Sequence, residues 1–133
     1  MRILICSHVY PPDRGGVASF IDDLASLLDQ GKNEVRVLHE LETGGDGCRI
    51  VASIMYRYRR SRVGIPLRFL HFLCAVIAFR PDVVICSHWL YYGFPATKFV
   101  HLFGYRVVIQ VHGNELRGRF LQGRRRKRML RTL

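Results

Sequence analysis

Residues 2–38 read RILICSHVYPPDRGGVASFIDDLASLLDQGKNEVRVL, and this stretch decides the fold class. Its apolar run from Arg2 to Ser7 is followed by a loop rich in proline and glycine, as expected for a buried strand. The loop covers His8 to Gly16. From Val17 to Leu28 the apolar residues recur with i, i+3, i+4, i+7 spacing, which predicts an amphipathic helix.

The end of the same stretch predicts a second strand. Gly31 stands where a left-handed helix cap is expected, and Glu34 to Leu38 alternates like a strand. Strand, loop, helix and strand together form a β-α-β unit. Residues 39–62 have no readable periodicity, and their structure is left open.

The rest of the chain alternates helices and strands in the same way. We predict a nearly all-apolar helix from Pro66 to about Phe79, a helix from Pro95 to a stop at Gly104, a final helix over 118–133, and strands Asp82–Ser87 and Arg106–Val111. Strands that alternate with helices imply a parallel sheet with helices on both faces. The prediction is one Rossmann-like α/β domain over residues 1–133.

Composition limits the classes of protein to which the chain can belong. Its 133 residues, of which 49% are hydrophobic, suffice for one buried core. The four cysteines show neither zinc-site nor disulfide-framework spacing, so we expect reduced thiols. The first apolar run is too short for a signal peptide, and the apolar stretch 63–79 is too short to span a bilayer. These features predict a cytoplasmic protein.

Charge is divided unevenly along the chain. Residues 1–48 hold four Lys/Arg and eight Asp/Glu, a net −4, whereas residues 49–133 hold seventeen and two, a net +15. This asymmetry predicts a polyanionic partner for the later residues, either an anionic membrane surface or nucleic acid.

In an open parallel sheet, ligands bind beyond the carboxyl ends of the strands. Gly15 and Gly16 lie there, just before a predicted helix whose amino end favours an anion. The loop lacks both the Gly-x-Gly-x-x-Gly and the Gly-Lys-Ser/Thr patterns, and it is also consistent with a simple turn.

The other two strand ends carry histidines. His112 follows the last predicted strand, where it is either a site residue or a structural histidine. Two segments follow the middle strand, Ser87-His88-Trp89 and Tyr91-Tyr92-Gly93, and their residues either line the same cleft or pack beneath it.

Several motifs resemble, in the correct order, the N-terminal half of family 4 glycosyltransferases, which are retaining enzymes of the GT-B fold. They are Tyr10-Pro-Pro-Asp-Arg-Gly-Gly16 with its helix, Val35-Arg-Val-Leu38, Arg80-Pro-Asp-Val-Val-Ile85 and Val108-Ile-Gln-Val-His-Gly-Asn-Glu115. The similarity covers nearly the whole chain. One departure is Lys32-Asn33, which replaces the family's usual Gly-His before the second strand.

The resemblance implies transfer of a sugar from a nucleotide-sugar substrate to a lipid-linked or glycan acceptor, without metal or cofactor. It implies that Gly15 and Gly16 approach the donor diphosphate and the sugar, and that the catalytic residue His112 contacts the sugar or assists at the reacting centre. His88 and Glu115 complete the predicted donor- and acceptor-binding set. A second Rossmann-like domain, with a Glu-x7-Glu motif, would hold most of the donor and is not found in these residues.

Three hypotheses follow for function. The first is an N-terminal glycosyltransferase domain that is truncated and inactive by itself. The second is a non-catalytic, acceptor-binding or membrane-docking subunit whose donor-binding half is a separate polypeptide. Nucleic-acid binding is the third and is disfavoured, because the sequence shows no helix-turn-helix, zinc-finger or RNA-recognition pattern.

A basic run near the end of the sequence supplies the predicted membrane or polyanion contact. It consists of Arg124, Arg125, Arg126, Lys127 and Arg128. The alternative interpretation is a solvated helix face. The apolar, arginine-flanked helix before Phe79 favours an anionic membrane, which predicts a peripheral location on its inner face.

Overall fold

The computed structural model describes residues 1–11, 14–39 and 64–111. Within these ranges the elements, in chain order, are β1 (Arg2–Ser7), α1 (Gly16–Gln30), β2 (Glu34–His39), α2 (Gly64–Phe79), β3 (Val83–Cys86), a π-helical turn (Trp89–Gly93), α3 (Phe94–Phe103) and β4 (Arg106–Ile109). The predicted alternation of strands and helices is confirmed.

The strands form a parallel sheet in the order β2-β1-β3-β4. Ile3 of β1 lies opposite Val35 on one side and Val83 on the other. The chain therefore crosses from β1 to β2 in one direction and then returns to place β3 on the other side of β1. This reversal is a topological switch point, and the crevice beyond the carboxyl ends of β1 and β3 is where such sheets bind ligands.

The sheet separates two hydrophobic layers, because successive side chains of a strand point to opposite faces. Leu4 and Cys6 of β1 face the layer that contains α2 and α3, where Phe72 is fully buried. Ile3 and Ile5 face the layer of α1. Coverage by helices on both faces confirms the predicted Rossmann-like α/β class.

The predicted left-handed cap at Gly31 is wrong. Gly31 has a φ of −76°, and the positive φ belongs to Lys32, at 60°. The side-chain amide of Asn33 donates to the carbonyl of Leu28 at 2.9 Å, which satisfies the helix end without a left-handed glycine. A Cβ at Gly31 would lie 3.1 Å from that Asn33 amide nitrogen, so crowding rather than φ favours glycine there.

The later strands are shorter than predicted. β4 ends at Ile109 instead of Val111, because its neighbour β3 ends at Cys86, opposite Ile109. The stop at Gly104 is confirmed, with a φ of 71° in the left-handed region. The predicted helix over 118–133 and the unassigned residues 40–62 lie outside the described residues.

The apolar helix α2 buries one face only. Phe72, Ala75 and Val76 are inside, while Leu70 and Ile77 are about half exposed. Within the described ranges, every helix is shorter or less apolar than a bilayer-spanning segment requires.

Candidate functional site

The carboxyl edge of the sheet brings together polar side chains from β1 and β3. Ser7 is the last residue of β1, and Ser87 follows β3 directly. The backbone N–H of Ser87 donates to the carbonyl of Cys6 at 2.9 Å, which holds the two strand ends level. Both serines are fully buried, so the structure places two hydroxyls at the floor of the switch-point crevice.

A chain of hydrogen bonds joins these hydroxyls. Ser7 Oγ donates to the Val9 carbonyl at 2.6 Å and accepts from Ser87 Oγ at 3.0 Å. Ser87 Oγ also lies 3.3 Å from Nδ1 of His88. The predicted site residue His88 is therefore held at this edge through the hydroxyl that precedes it in the sequence.

Aromatic rings surround His88. The ring of His8 meets it edge to face, with centroids 4.0 Å apart, and stacks on Tyr91 at 4.5 Å. The guanidinium of Arg68 lies over the Tyr91 ring, 4.9 Å from its centroid. These half-buried rings form an amphipathic surface on which apolar ring faces adjoin imidazole nitrogens.

Gly15 and Gly16 lie at the same edge, at the start of α1. Gly15 is the N-cap, with φ 146° and ψ 160°, a conformation that is essentially restricted to glycine. Among the described residues no side chain caps this helix end, and its first turn contains no acidic residue. A Cβ built on Gly16 meets no described atom within 4 Å, so the space above it is open. The arrangement suits a close-approaching anion.

Tyr10 fixes the course of the loop between β1 and α1. Its hydroxyl donates to Oδ1 of Asp22 on α1 at 2.9 Å, and its buried ring packs 5.0 Å from the ring of His39. His39 ends β2 and is itself buried. The loop is thereby tied to both neighbouring elements.

The aromatic residues after β3 divide between the two predicted roles. Trp89 and Tyr92 are buried and pack beneath the edge, whereas Tyr91 belongs to the ring cluster. A Cβ on Gly93 would lie 3.2 Å from the Ile109 side chain, so glycine lets this turn pack closely against β4.

Sequence reasoning singled out His88, Gly15 and Gly16, and the structure brings all three to one edge. It also offered Tyr91 as a cleft-lining residue, but it missed Ser7 and His8. The available signal was positional, because Ser7-His8 and Ser87-His88 are the same dipeptide at the ends of adjacent strands. His112, Glu115 and the basic run Arg124 to Arg128 lie outside the described residues.

The Cys6 thiol beneath the edge is a poor nucleophile. Burial raises the pKa of Cys6 well above its ordinary value, and the neighbouring Cys86 raises it further. A protonated, fully buried thiol does not attack a substrate. Among the described residues no group of three or more His, Cys, Asp or Glu side chains is arranged to hold a metal ion.

The opposite, amino edge of the sheet has a different character. A cavity of about 700 Å³ opens there among Arg2, Arg80, Arg106 and Asp82. Asp82 accepts a hydrogen bond from the backbone N–H of Arg2 at 2.7 Å. The three arginines therefore give this cavity a net positive charge.

Comparison with known proteins identifies one family. Residues 14–133 match the family model described as Glycosyltransferase Family 4. No curated protein and no solved structure matches the chain.

Proposed function

Because the chain belongs to glycosyltransferase family 4, we propose that it forms the acceptor side of a cleft in which a sugar passes from a nucleotide-sugar donor to a lipid-linked or glycan acceptor. One observation supports this proposal most strongly. Four residues lie together at the switch point of the sheet: Ser7, Gly15, Ser87 and His88. Family resemblance assigns most donor contacts to a second Rossmann-like domain. Transfer then requires such a domain, on the same or another polypeptide.

The ring cluster is suited to the acceptor. A sugar presents hydroxyls and an apolar C–H face, and the cluster offers imidazole nitrogens beside the stacked rings of His8 and Tyr91. The amino end of α1 is suited to the donor diphosphate, because its dipole and backbone N–H groups favour negative charge.

Sugar transfer assays test this proposal. The 133-residue chain is incubated with a panel of radiolabelled nucleotide sugars and lipid or glycan acceptors, alone and with the donor-binding domain of a family 4 enzyme. We expect no transfer by the chain alone and measurable transfer after addition. Sugar transfer by the chain alone would contradict the proposal. So would the absence of transfer with every added domain, if glycans also fail to bind to the chain.

A matched pair of variants tests the glycine loop in that assay. Gly16→Val adds bulk where the diphosphate or sugar would approach the backbone and should lower turnover at least about 10-fold. Ser26→Val adds comparable bulk at an exposed position of the same helix and should have no effect. Equal turnover in the two variants would show that the loop only turns the chain.

A second candidate function, peripheral docking on an anionic membrane, is favoured by the amino-edge cavity. Arg80 and Arg106 are exposed there, and neither side chain has a hydrogen bond or ion pair within the described residues. The exposed side chains of Met1, Ile77 and Leu102 border the same cavity. Basic groups beside apolar side chains are the combination that anionic bilayers bind.

Vesicle flotation tests the docking. We expect recovery with anionic vesicles that falls at high salt, and less recovery of the double variant Arg80→Gln/Arg106→Gln than of the exposed control Arg14→Gln. A variant with residues 124–128 neutralised separates the basic run from the cavity. Equal recovery with neutral and anionic lipids would exclude the membrane, and stronger binding to competitor duplex DNA would favour nucleic acid instead.

A further inference from the structure

The hydroxyl protons at the carboxyl edge can be assigned by counting. Ser7 Oγ lies 2.6 Å from the Val9 carbonyl oxygen. A carbonyl oxygen accepts and never donates, so the single Ser7 proton lies between these two atoms. Toward its other neighbours, Ser7 Oγ has only lone pairs to offer.

The same reasoning determines the direction of the hydrogen bond between Ser87 and Ser7. The oxygen of Ser87 lies 3.0 Å from Ser7 Oγ, and since the Ser7 proton is already committed, Ser87 is the donor. Both hydroxyls are fully buried, so bulk water does not compete for these bonds. Ser87 therefore presents a lone pair to Nδ1 of His88, which lies 3.3 Å away.

We propose that Ser7 and Ser87 are positioning residues that hold the neutral His88 imidazole in its Nδ1-protonated tautomer. A neutral imidazole carries one proton, so its Nε2 atom is then a hydrogen-bond acceptor. An accepting Nε2 requires a hydrogen-bond donor, whereas phosphate and carbonyl oxygens only accept and would require a donating Nε2. Any group that contacts this Nε2 is accordingly a hydrogen-bond donor, as a sugar hydroxyl can be.

Ring contacts hold the imidazole in the orientation that the serine chain requires. His8 meets His88 at an interplanar angle of 89°, and Tyr91 meets it at 80°. These edge-to-face contacts restrict rotation of the His88 ring and keep Nδ1 toward Ser87.

That the donor to Nε2 is a hydroxyl of a sugar acceptor rests on the proposed function. The assignment of the tautomer does not depend on the proposed function. In a family 4 enzyme, His88 Nε2 would accept a hydrogen bond from an acceptor hydroxyl and so orient it. A chain that binds no glycan would contradict the proposed function and leave the tautomer assignment intact. An Nε2-protonated His88 would overturn the inference even in an active enzyme.

Nuclear magnetic resonance of the ¹⁵N-histidine-labelled chain measures the tautomer directly. At alkaline pH, where imidazoles are neutral, long-range ¹H–¹⁵N correlations distinguish a protonated Nδ1 from a protonated Nε2. The spectrum of His88→Gln identifies the His88 signals among those of the six histidines. We expect the Nδ1-protonated form to predominate, and observation of the other form in the unmodified chain overturns the proposal without any further variant.

Two serine variants test the relay, by which we mean the chain of hydrogen bonds from Ser7 through Ser87 to His88. Ser87→Ala removes the acceptor of the His88 proton and should lower the ratio of Nδ1- to Nε2-protonated forms about five-fold, which corresponds to a hydrogen bond of ~1 kcal/mol. Ser7→Ala has no hydrogen bond to His88 to remove, yet it releases the Ser87 proton, which then donates to Nδ1. The ratio should fall in that variant too. A merely structural serine would not produce this second effect.

Conservative and remote variants provide the controls. Ser87→Thr keeps the hydroxyl and should keep the wild-type ratio. Ser19→Ala removes a hydroxyl from the exposed side of α1, where it bonds the Gly15 carbonyl, and should leave His88 unchanged. Backbone amide spectra verify that each variant is folded. Equal ratios in the wild type, Ser7→Ala and Ser87→Ala would overturn the relay.

Discussion

Adjacent residues of one loop meet different physical demands. Gly15 has φ 146° and ψ 160°, where any side chain is strained, while Gly16 is helical and faces open space. Glycine is therefore required at residue 15 by the backbone. At residue 16 no described atom requires glycine.

Alanine substitutions separate the two demands. We expect Gly15→Ala to lower the free energy of unfolding by about 1–3 kcal/mol, the cost of a strained conformation. Gly16→Ala should leave it unchanged or raise it by up to about 1 kcal/mol, because alanine favours the helix. Chemical denaturation measures both values. Equal destabilisation of the two variants would mean that backbone conformation is not the reason why residue 15 is a glycine.

The helices end in two ways. Gly104 ends α3 in the left-handed region with a φ of 71°, as its sequence position predicts. Lys32 and Arg80 adopt φ values of 60° and 49° after α1 and α2, although both carry a Cβ. Left-handed conformations cost such residues roughly 1–2 kcal/mol. Each of these helix ends therefore carries local strain that the surrounding fold offsets.

Glycine should relieve that strain. We expect Lys32→Gly and Arg80→Gly each to raise the free energy of unfolding by about 0.5–1 kcal/mol, since the greater freedom of glycine in the unfolded chain offsets part of the gain. Gly104→Ala should lower it by a comparable amount. Thermal and urea denaturation of the three variants would show the signs, and destabilisation by Lys32→Gly would contradict the strain assigned here.

The core of the domain contains two ionisable groups, the Cys6 thiol and the Tyr105 hydroxyl, whose neutral forms are favoured by burial. Burial raises the pKa of the Cys6 thiol, with a further contribution from Cys86. Burial likewise raises the pKa of Tyr105, with smaller effects of Cys86 and Cys6, while its hydroxyl donates to the Ala96 carbonyl at 2.8 Å. Ionisation of Cys6 in β1, or of Tyr105 against α3, would therefore destabilise the folded chain at alkaline pH.

Stability should therefore decline at alkaline pH. Because the folded-state pKa of Cys6 is raised, the unfolded chain loses this proton first, above the ordinary value of 9.0. The contribution of Cys6 is fully present below that pH and falls by up to ~1.4 kcal/mol per pH unit above it. Tyr105 adds a second decline above 10.0.

Urea denaturation between pH 7 and pH 11 measures this dependence. Cys6→Ser should reduce the decline between about pH 9 and 10, while Ser26→Ala, at an exposed site of α1, should reproduce the wild-type curve. An unchanged slope in Cys6→Ser would exclude the thiol as its cause.

The sequence by itself determined the β-α-β order, because each element carries its own local period. The continuous apolar run before Ser7, the helical spacing from Val17 to Leu28 and the stop at Gly104 depend only on neighbouring residues. The placement of His88 and Gly15 at one edge followed as well, since parallel strands end on the same side of a sheet.

Only the tertiary structure decided what depends on distant residues. β4 ends at Ile109 because β3 supplies no further partner, and α1 ends through Asn33 and not through a left-handed Gly31. The serine chain joins Ser7 to Ser87 across 80 residues of sequence. The repeated Ser-His dipeptide marks both strand ends, but no local pattern shows that the two hydroxyls meet. Their pairing exists because the crossover places β3 beside β1, and that spatial neighbourhood fixes the chemistry of His88.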